Sequence, residues 1–282
     1  MKKCAILILI FALLPIFCLA ASAGDSTQNY RLRASDKTHK VSRNDIKAEI
    51  RFGKEVAARI LGKFRLYDDE KATRYVNLIG KGLASYSSRP EIEFRFAVID
   101  TDMINAFAAP GGYIFITKGT LETIDNESQL AGVIAHEITH VTEKHIVREL
   151  NIRGSDDSAL SGLSSVLAGG SSETMRAAFM QMVDKAQEIL FEKGLKKEDE
   201  LSSDRMSVIL LGNAGYDPSA YSDLLKKIRD TEKEKKNIKV VSSTHPDFNE
   251  RLKAVSKTIE TEGLTDVQPA NTKNRYIEYV SF

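Results

Sequence analysis

The sequence contains few cysteines, and both lie near its N-terminus. Among 282 residues only Cys4 and Cys18 are cysteines. They belong to an apolar leader that we expect to be removed, so the mature chain would contain no disulfide and no reactive thiol. Thiol chemistry and a disulfide-stabilised fold are therefore excluded, and the mature protein must be stabilised by its hydrophobic core.

The sequence also lacks an excess of charge of either sign. It has 40 basic and 39 acidic residues, a net charge of +1, and loss of Lys2 and Lys3 with the leader would change this to −1. There is no sustained basic stripe, so nothing supports nucleic-acid binding. Hydrophobic residues make up 42% and charged residues 28% of the chain, which is typical of a globular domain with a sizeable core.

Residues 1–23 are predicted to be a signal peptide. A charged Lys2-Lys3 start precedes an apolar run that Pro15 interrupts, and small residues lead up to the Ala23-Gly24 bond. This order is typical of a secretory signal cleaved near Ala23-Gly24, and it predicts an exported protein, periplasmic or secreted. An uncleaved membrane anchor is the alternative, although the apolar run is short for a membrane span. A lipoprotein modified at Cys18 is a weaker alternative.

The remaining chain divides into a polar segment, residues 24–41, which we expect to be flexible, and one domain, residues 42–282. Within this domain residues 154–172 are rich in serine, glycine and alanine. Two interpretations remain open for them: a disordered linker, and a weakly stable helix that acts as a mobile lid over a binding cleft.

The apolar pattern of the domain predicts a mainly helical α+β fold with a small β-sheet. The predicted elements are helices near 42–64 and 68–86, strands near 91–100, 104–109 and 113–117, a short helix near 119–124, a long helix from about 127 to 150, and helices starting near 173, 198 and 247. Leu78 is expected among the inward residues of the second helix. The tail 276–280 predicts a strand or a docking segment.

The motif His136-Glu137-Ile138-Thr139-His140 lies within the predicted helix that starts at residue 127. Residues four apart share a helix face, so His136 and His140 can hold one metal ion together. Zinc accepts imidazole nitrogen readily, and Glu137 would be placed to take a proton from a water molecule at the open coordination position. Two unrelated histidines are the alternative, which a chain with only five histidines disfavours.

His145 follows the motif but is not expected to bind the metal. It comes five residues after His140, which places it about 100° from the ligand face of a continuous helix. We therefore predict that His145 has a structural role or makes a hydrogen bond to one of the ligands.

A catalytic zinc site needs a third protein ligand, and the acidic residues between 198 and 204 can supply it. Glu200 and Asp204 share a helix face, so Glu200 can bind the metal while Asp204 accepts a hydrogen bond from a ligating imidazole. The alternative is an acidic helix start stabilised by the helix dipole, which suits Glu198 and Asp199.

The strands before the motif allow two interpretations. Residues 104–109 either complete a small structural sheet or offer an edge that pairs with an extended peptide beside the metal. Strand addition is a common way to bind peptides independently of their sequence. The residues of this segment alone do not decide between the two.

Several motifs together resemble the gluzincin metallopeptidases of family M48, the group that contains HtpX and the CAAX prenyl endopeptidases, and most closely its exported bacterial branch of BepA and LoiP type. The matching pieces agree in order and spacing from about residue 42 to 260. They are Asn105–Ile114, His136–Val141 with His145, Glu200 with Asp204, Ala214–Pro218, and Thr244–Pro246 with Arg251.

The resemblance implies a zincin-like fold in which the sheet lies beside the active-site helix, with one zinc ion per chain. The implied zinc ligands are His136, His140 and Glu200. Glu137 would act as general base and acid, and Asp204 would be hydrogen-bonded to a ligand. The family usually has alanine where this sequence has Ser203, a change that keeps both acids and predicts more polar surroundings for the metal.

The resemblance also implies which residues face the substrate. The implied lining of a peptide groove is Asn105, Ala106, Phe107 and Ala108, which favours strand pairing over a purely structural sheet. His245 would either stabilise the oxyanion or occupy the open zinc position. Arg251 would stabilise the oxyanion or anchor the substrate backbone.

The function predicted in this way is that of an exported zinc endopeptidase. Its expected partners are polypeptide substrates, by resemblance misfolded or misassembled envelope proteins, with no nucleic acid. Contact with a membrane surface or an outer-membrane protein is left open, and the sequence predicts no oligomeric state. The competing hypothesis is a chaperone-like or assembly-factor binding protein, which the presence of the base Glu137 disfavours because a pure binder does not need it.

Overall fold

The computed structural model describes residues 43–152, 173–234, 245–266 and 273–280. Three predicted segments fall outside the described residues: the signal peptide 1–23, the polar segment 24–41 and the lid 154–172. The described part is mainly helical with one three-stranded sheet, so the predicted mainly helical α+β class is confirmed. None of its helices is both long enough and apolar enough to cross a membrane.

Two amphipathic helices begin the described chain, α1 (Arg43–Lys63) and α2 (Glu70–Ala84). Asp69 caps α2, because its side chain accepts a hydrogen bond from the backbone N–H of Ala72. The predicted inward face of α2 is correct apart from Leu78, which is 70% exposed. Leu78 lies about 160° around the helix from Val76, which is buried, since a helix turns by about 100° per residue.

The sheet consists of β1 (Arg95–Ile99), β2 (Ala106–Ala109) and β3 (Tyr113–Thr117), in the order β1-β3-β2. β3 is central, with β1 parallel to it and β2 antiparallel. A tight 3-10 turn, Pro110–Gly112, joins β2 to β3. Gly111 has a φ of 72°, and an added Cβ would lie 2.6 Å from the Cα of Ile50, so this turn needs glycine.

Three helices follow the sheet: α3 (Lys118–Thr123), α4 (Glu127–Thr142) and α5 (His145–Glu149). The prediction of one helix from 127 to 150 is wrong, because the first helix ends at Thr142 and a second begins at His145. Lys144 adopts a left-handed conformation with a φ of 58°, which ends one helix and starts the next in a new direction. The consequence for His145 is described below.

The remaining elements are α6 (Glu173–Glu188) with a π-helical turn (Ile189–Lys193), α7 (Lys197–Asn213), α8 (Ser219–Glu234), α9 (Phe248–Thr261), a 3-10 turn (Leu264–Asp266) and α10 (Lys273–Tyr279). The strand predicted for the tail is wrong, because this segment is helical. The docking alternative describes it correctly, since Tyr276 is buried and its hydroxyl donates to the carbonyl of Leu121.

α4 is the central element of the core. All but one of its residues are buried, and it packs against α7, α8, α2 and the sheet. A helix covered on every side must be apolar or have partners for its polar groups. Accordingly, the side chains of Glu127, Gln129, Thr139 and Thr142 on α4 all make hydrogen bonds.

Glu127, the first residue of α4, is the most connected of these side chains outside the site. It is 2% exposed and accepts hydrogen bonds from the hydroxyls of Tyr75 and Tyr216 and from the guanidinium of Arg275. Burial and the Glu127 carboxylate raise the pKa of Tyr75, so this phenol stays protonated and donates. Glu127 thereby joins α2, the segment before α8, and α10 to the start of α4.

Glu127→Gln is expected to destabilise the protein by about 1.5–3 kcal/mol, because three donors lose a charged acceptor. Urea unfolding monitored by circular dichroism would measure the change. Glu122→Gln is the matched control: its side chain is 39% exposed and pairs with Lys118, so about 0.5 kcal/mol or less is expected. Equal effects of the two variants would contradict the role given to Glu127.

Candidate active site

The two helices that carry the predicted metal ligands pack against each other. α4 presents His136 and His140 one turn apart, and α7 presents Glu200 from its first turn. The Nε2 atoms of the two histidines are 2.9 Å apart, and each lies 3.5 Å from an oxygen of Glu200. One ligand atom from each residue lies within 4.8 Å of the others, close enough for the three residues to bind one ion.

The chemistry of these donors suits zinc. Burial lowers the pKa of His140 well below its usual value, and a ligating imidazole must be neutral. Burial alone would raise the pKa of Glu200, but the charge of His245 and of other histidines lowers it well below its usual value. A buried carboxylate needs a cation beside it. Hydrogen bonds from His136 to Asp204 and Glu200 outweigh its burial and raise its pKa to about 9, so a metal ion that binds here must displace the proton of this imidazole.

Asp204, one turn after Glu200, orients the first histidine. Its Oδ1 lies 3.0 Å from Nδ1 of His136, which turns Nε2 of that ring towards Glu200 and His140. The same carboxylate accepts hydrogen bonds from the hydroxyl of Tyr221 at 2.8 Å and from the guanidinium of Arg251 at 2.7 and 2.9 Å. Such bonds to a ligating imidazole fix its tautomer and ring position.

Arg251, for which the resemblance implied a role towards the substrate, is bonded to Asp204. The residue is 5% exposed, and its guanidinium bonds both oxygens of Asp204 and, at 2.8 Å, the hydroxyl of Tyr221. These bonds hold the guanidinium against Asp204 while the residue borders the cleft, so an oxyanion or substrate-anchoring role stays a prediction. We interpret Arg251 as a positioning residue that balances the charge of Asp204.

Sequence reasoning missed Tyr221, which joins this network from α8. Its hydroxyl lies 3.0 Å from Nδ1 of His136, and its ring packs on α4 where Gly132 leaves room. An added Cβ at Gly132 would lie 2.8 Å from a ring carbon of Tyr221. No spacing relates Tyr221 to the motif, but a glycine one turn before the first ligand was an available signal that another group approaches the helix there.

The second histidine has a different set of partners. Nδ1 of His140 lies 2.8 Å from Nδ1 of His145 and 3.3 Å from the hydroxyl of Ser203. Nε2 of His145 in turn lies 3.1 Å from a Glu143 oxygen. The left-handed turn at Lys144 brings His145 back over His140, where a continuous helix would have pointed it away. Ser203, which stands where the family usually has alanine, thus supplies the additional polar group that was predicted near the metal.

His145→Leu is expected to weaken zinc binding about 10- to 100-fold, because His140 would lose the acceptor that fixes its tautomer. Competition with a chromogenic chelator would measure the dissociation constant. His145→Asn keeps an acceptor near the Nδ1 position and should lose less. Wild-type zinc affinity in a correctly folded Leu variant would show that His145 does not orient His140.

Glu137 and His245 face the cleft beside the metal ligands. Burial raises the pKa of the Glu137 carboxyl to about 7, which suits a group that takes up and returns a proton near neutral pH. His245 reaches the site from the segment before α9, with Nδ1 2.6 Å from Oε2 of Glu200. It therefore contacts a predicted metal ligand directly and borders the cleft.

The edge strand β2 forms the opposite wall of the cleft. The four residues that the resemblance assigned to a peptide groove all border it: Asn105, Ala106, Phe107 and Ala108. Within the three-stranded sheet, β2 pairs on one side only, with β3. The cleft thus runs between a strand edge and the side chains of Glu137 and His140.

This arrangement defines a class of protein. Two histidines and a glutamate from two packed helices, with a buried glutamate next to the first histidine and a strand edge alongside, are the parts of an H-E-x-x-H zinc metallopeptidase with a glutamate as third ligand. The donor set and the fold agree on this class.

Comparison with known proteins identifies the family within this class. Residues 70–259 match peptidase family M48. The beta-barrel assembly-enhancing protease of Escherichia coli (strain K12) is 30% identical over 207 residues, 72% of this chain and 42% of that protein. The bovine mitochondrial metalloendopeptidase OMA1 is 26% identical over 172 residues, 60% of this chain and 33% of that protein.

The chain therefore belongs to peptidase family M48, a family of zinc-dependent metallopeptidases. The resemblance inferred from its motifs is confirmed. The chain spans about two fifths of the length of the beta-barrel assembly-enhancing protease that it matches.

Proposed function

We propose that this protein is an exported zinc endopeptidase that cuts extended segments of polypeptides. One observation carries the proposal: the buried carboxylate of Glu137 faces the same cleft as the His136, His140 and Glu200 cluster and the edge of β2. A base, a metal-ligand set and a surface for an extended chain thus meet in one place.

His136, His140 and Glu200 would hold the zinc ion. When bound, zinc lowers the pKa of a coordinated water molecule to about 7 and polarises a carbonyl. Glu137 takes a proton from the attacking water as its oxygen bonds to the carbonyl carbon of the substrate. When the carbon–nitrogen bond breaks, Glu137 passes this proton to the leaving amine.

The edge of β2 would align the substrate. An extended peptide paired with Ala106 and Ala108 would cross the cleft in front of Glu137, held by backbone hydrogen bonds that do not depend on its sequence. Unfolded or locally open chains offer such segments most readily, because most backbone groups of a folded protein are bonded internally. This requirement supports misfolded or misassembled envelope proteins as substrates.

Export is supported by the N-terminal pattern of charge, apolar residues and small residues that ends at Ala23-Gly24. Sequencing the N-terminus of the mature protein would test it: Gly24 supports cleavage, whereas Met1 would indicate a retained anchor. Relatives named beta-barrel assembly-enhancing protease support a role near outer-membrane proteins, and contact with such proteins is part of the proposal.

The second candidate function is a chaperone-like or assembly factor that binds in the groove and rarely cuts. The strand edge favours it, because the same surface would bind without hydrolysis. A buried Glu137 with a pKa near that of a general base disfavours it, because a carboxyl in this position costs stability and serves no purpose in binding.

Metal removal tests the proposed function. Protein treated with a chelator and dialysed should not cleave casein, and one equivalent of zinc should restore cleavage, because the site has one set of three ligands. Gel assays and metal analysis would follow both steps. Magnesium is the control ion, because it prefers oxygen ligands and should not restore activity. A zinc-loaded protein that cleaves no unfolded substrate would favour the binding alternative.

A further inference from the structure

An apolar recess borders the catalytic side chains on the side of α8. The residues of this apolar recess are Ile104, Val133, Leu224, Leu225, Ile228 and Phe248. The cleft to which it belongs also contains His136 and Glu137, and it encloses about 550 Å³ with its open solvent included. Polar side chains, among them Asn105 and His245, line the rest of the cleft, so the apolar residues form one side of it.

Regular helical spacing builds this recess. Val133 lies one turn before Glu137 on α4, so both side chains share a face. Leu224, Leu225 and Ile228 lie three, four and seven residues after Tyr221 on α8, which also places them on one face. The recess is thus formed by the same helices that position the ligands, and it is fixed relative to the reacting atoms.

The apolar recess is buried at its base and open at its outer end, so another group can enter it. Leu224 and Leu225 at its base are 0% and 2% exposed, whereas Val133 and Ile228 are only partly buried. Arg251 also borders the cleft, but its charge is balanced by Asp204, so it does not favour an acidic occupant. An apolar group entering the recess would cover the remaining exposed hydrocarbon, and a charged group would lose hydration without gaining a partner.

We propose that the apolar recess is the specificity pocket of the enzyme, and that it receives a leucine, isoleucine, methionine or phenylalanine side chain next to the scissile bond. The inference rests on the proposed proteolytic function. Side chains alternate along a peptide paired with β2, so those of one face point from Ala106 across the cleft towards α8. Large apolar side chains are buried in folded proteins, and the pocket would therefore select segments of unfolded ones.

Peptides that differ at one position test the proposal. Cleavage sites are first mapped by mass spectrometry in casein, and the residues flanking the cut bonds are then varied one at a time among Leu, Phe, Ala, Asp and Lys. At one flanking position, kcat/KM for Leu or Phe should exceed that for Asp or Lys by about 10- to 100-fold. Equal rates for all five residues at both flanking positions would overturn the pocket and leave proteolysis intact.

Variants of Ile228 connect this preference to the recess. Ile228→Phe fills the pocket, so kcat/KM for the Phe peptide should fall about 10-fold or more while that for the Ala peptide changes little. Ile228→Ala enlarges it and should shift the preference towards Phe, which keeps the test valid if the Phe variant folds poorly. Ile277→Phe, at a 56% exposed position on α10, is the matched control. An unchanged ranking in both Ile228 variants would overturn the assignment.

Binding separates this inference from the proposed function. Fluorescence anisotropy of an unstructured peptide that carries Leu, Phe, Ala, Asp or Lys at one position, measured with the Glu137→Gln protein, reports the pocket without hydrolysis and without a mapped cleavage site. If the wild type cuts nothing but the Glu137→Gln protein prefers Leu and Phe peptides, and Ile228→Phe removes the preference, then the pocket is supported and proteolysis is refuted. If binding shows no preference either, the pocket is refuted too.

Discussion

Glu137→Gln is expected to lower kcat for peptide-bond hydrolysis by about 10²–10⁴-fold while zinc remains bound. Glutamine has the shape of glutamate but cannot accept the proton of the attacking water or return it to the leaving amine. Glu137 is not among the three residues whose ligand atoms cluster, so the metal site should stay intact. Hydrolysis of casein and the zinc content of the purified variant would measure the two effects.

The matched control is Glu198→Gln, the same chemical change at an exposed position on α7. It should leave both kcat and zinc content close to wild type, because Glu198 faces solvent. A Glu137→Gln protein with more than about a tenth of the wild-type kcat would show that another group acts as the base. Loss of zinc from this variant would instead mean that Glu137 supports the metal site.

Arg251→Met is expected to destabilise the protein by about 3–5 kcal/mol, because it leaves the charge of Asp204 buried without its partner. Asp204 is 0% exposed, and Arg251 bonds both of its oxygens. Zinc affinity should also fall about 10- to 100-fold, since Asp204 orients His136. Urea unfolding with and without chelator would separate the loss of folding stability from the loss of bound metal.

Two comparisons make this prediction specific. The pair Lys197–Glu250 is about half exposed, so Lys197→Met should cost about 1 kcal/mol or less. The double variant Asp204→Asn with Arg251→Met removes both charges and should recover part of the stability, but not the zinc affinity. If the double variant is no more stable than Arg251→Met alone, the cost does not come from the unpaired aspartate.

Local spacing predicted much of the fold correctly. β3 and α3 match their predicted positions within about one residue, because strands alternate and helices repeat within short windows. The errors have local reasons. Leu78 has the spacing of an inward residue but faces solvent. The tail 276–280 is too short for its periodicity to distinguish a strand from a helix. Packing against α2 and α4 stabilises the helix that it forms.

The residues of the candidate site also divide into those that local spacing identifies and those that it does not. His136 and His140 were identifiable because both lie in one motif, and Glu200 with Asp204 because they repeat the spacing of a helix face. Tyr221 and the placement of Arg251 were not identifiable as partners of Asp204. They come from two other helices, and no regular spacing links them to the motif.

The sequence by itself determined the chemistry of this protein: a metal site with a base next to its first ligand, and a family that uses zinc to cut peptides. Tertiary structure alone decided which groups hold that chemistry in place. The left-handed turn at Lys144 directs His145 onto His140, and packing of α8 on α4 and of α9 on α7 places Tyr221 and Arg251 around Asp204. Ligand spacing within a helix is a local property of the chain, whereas the partners of each ligand depend on how distant helices pack.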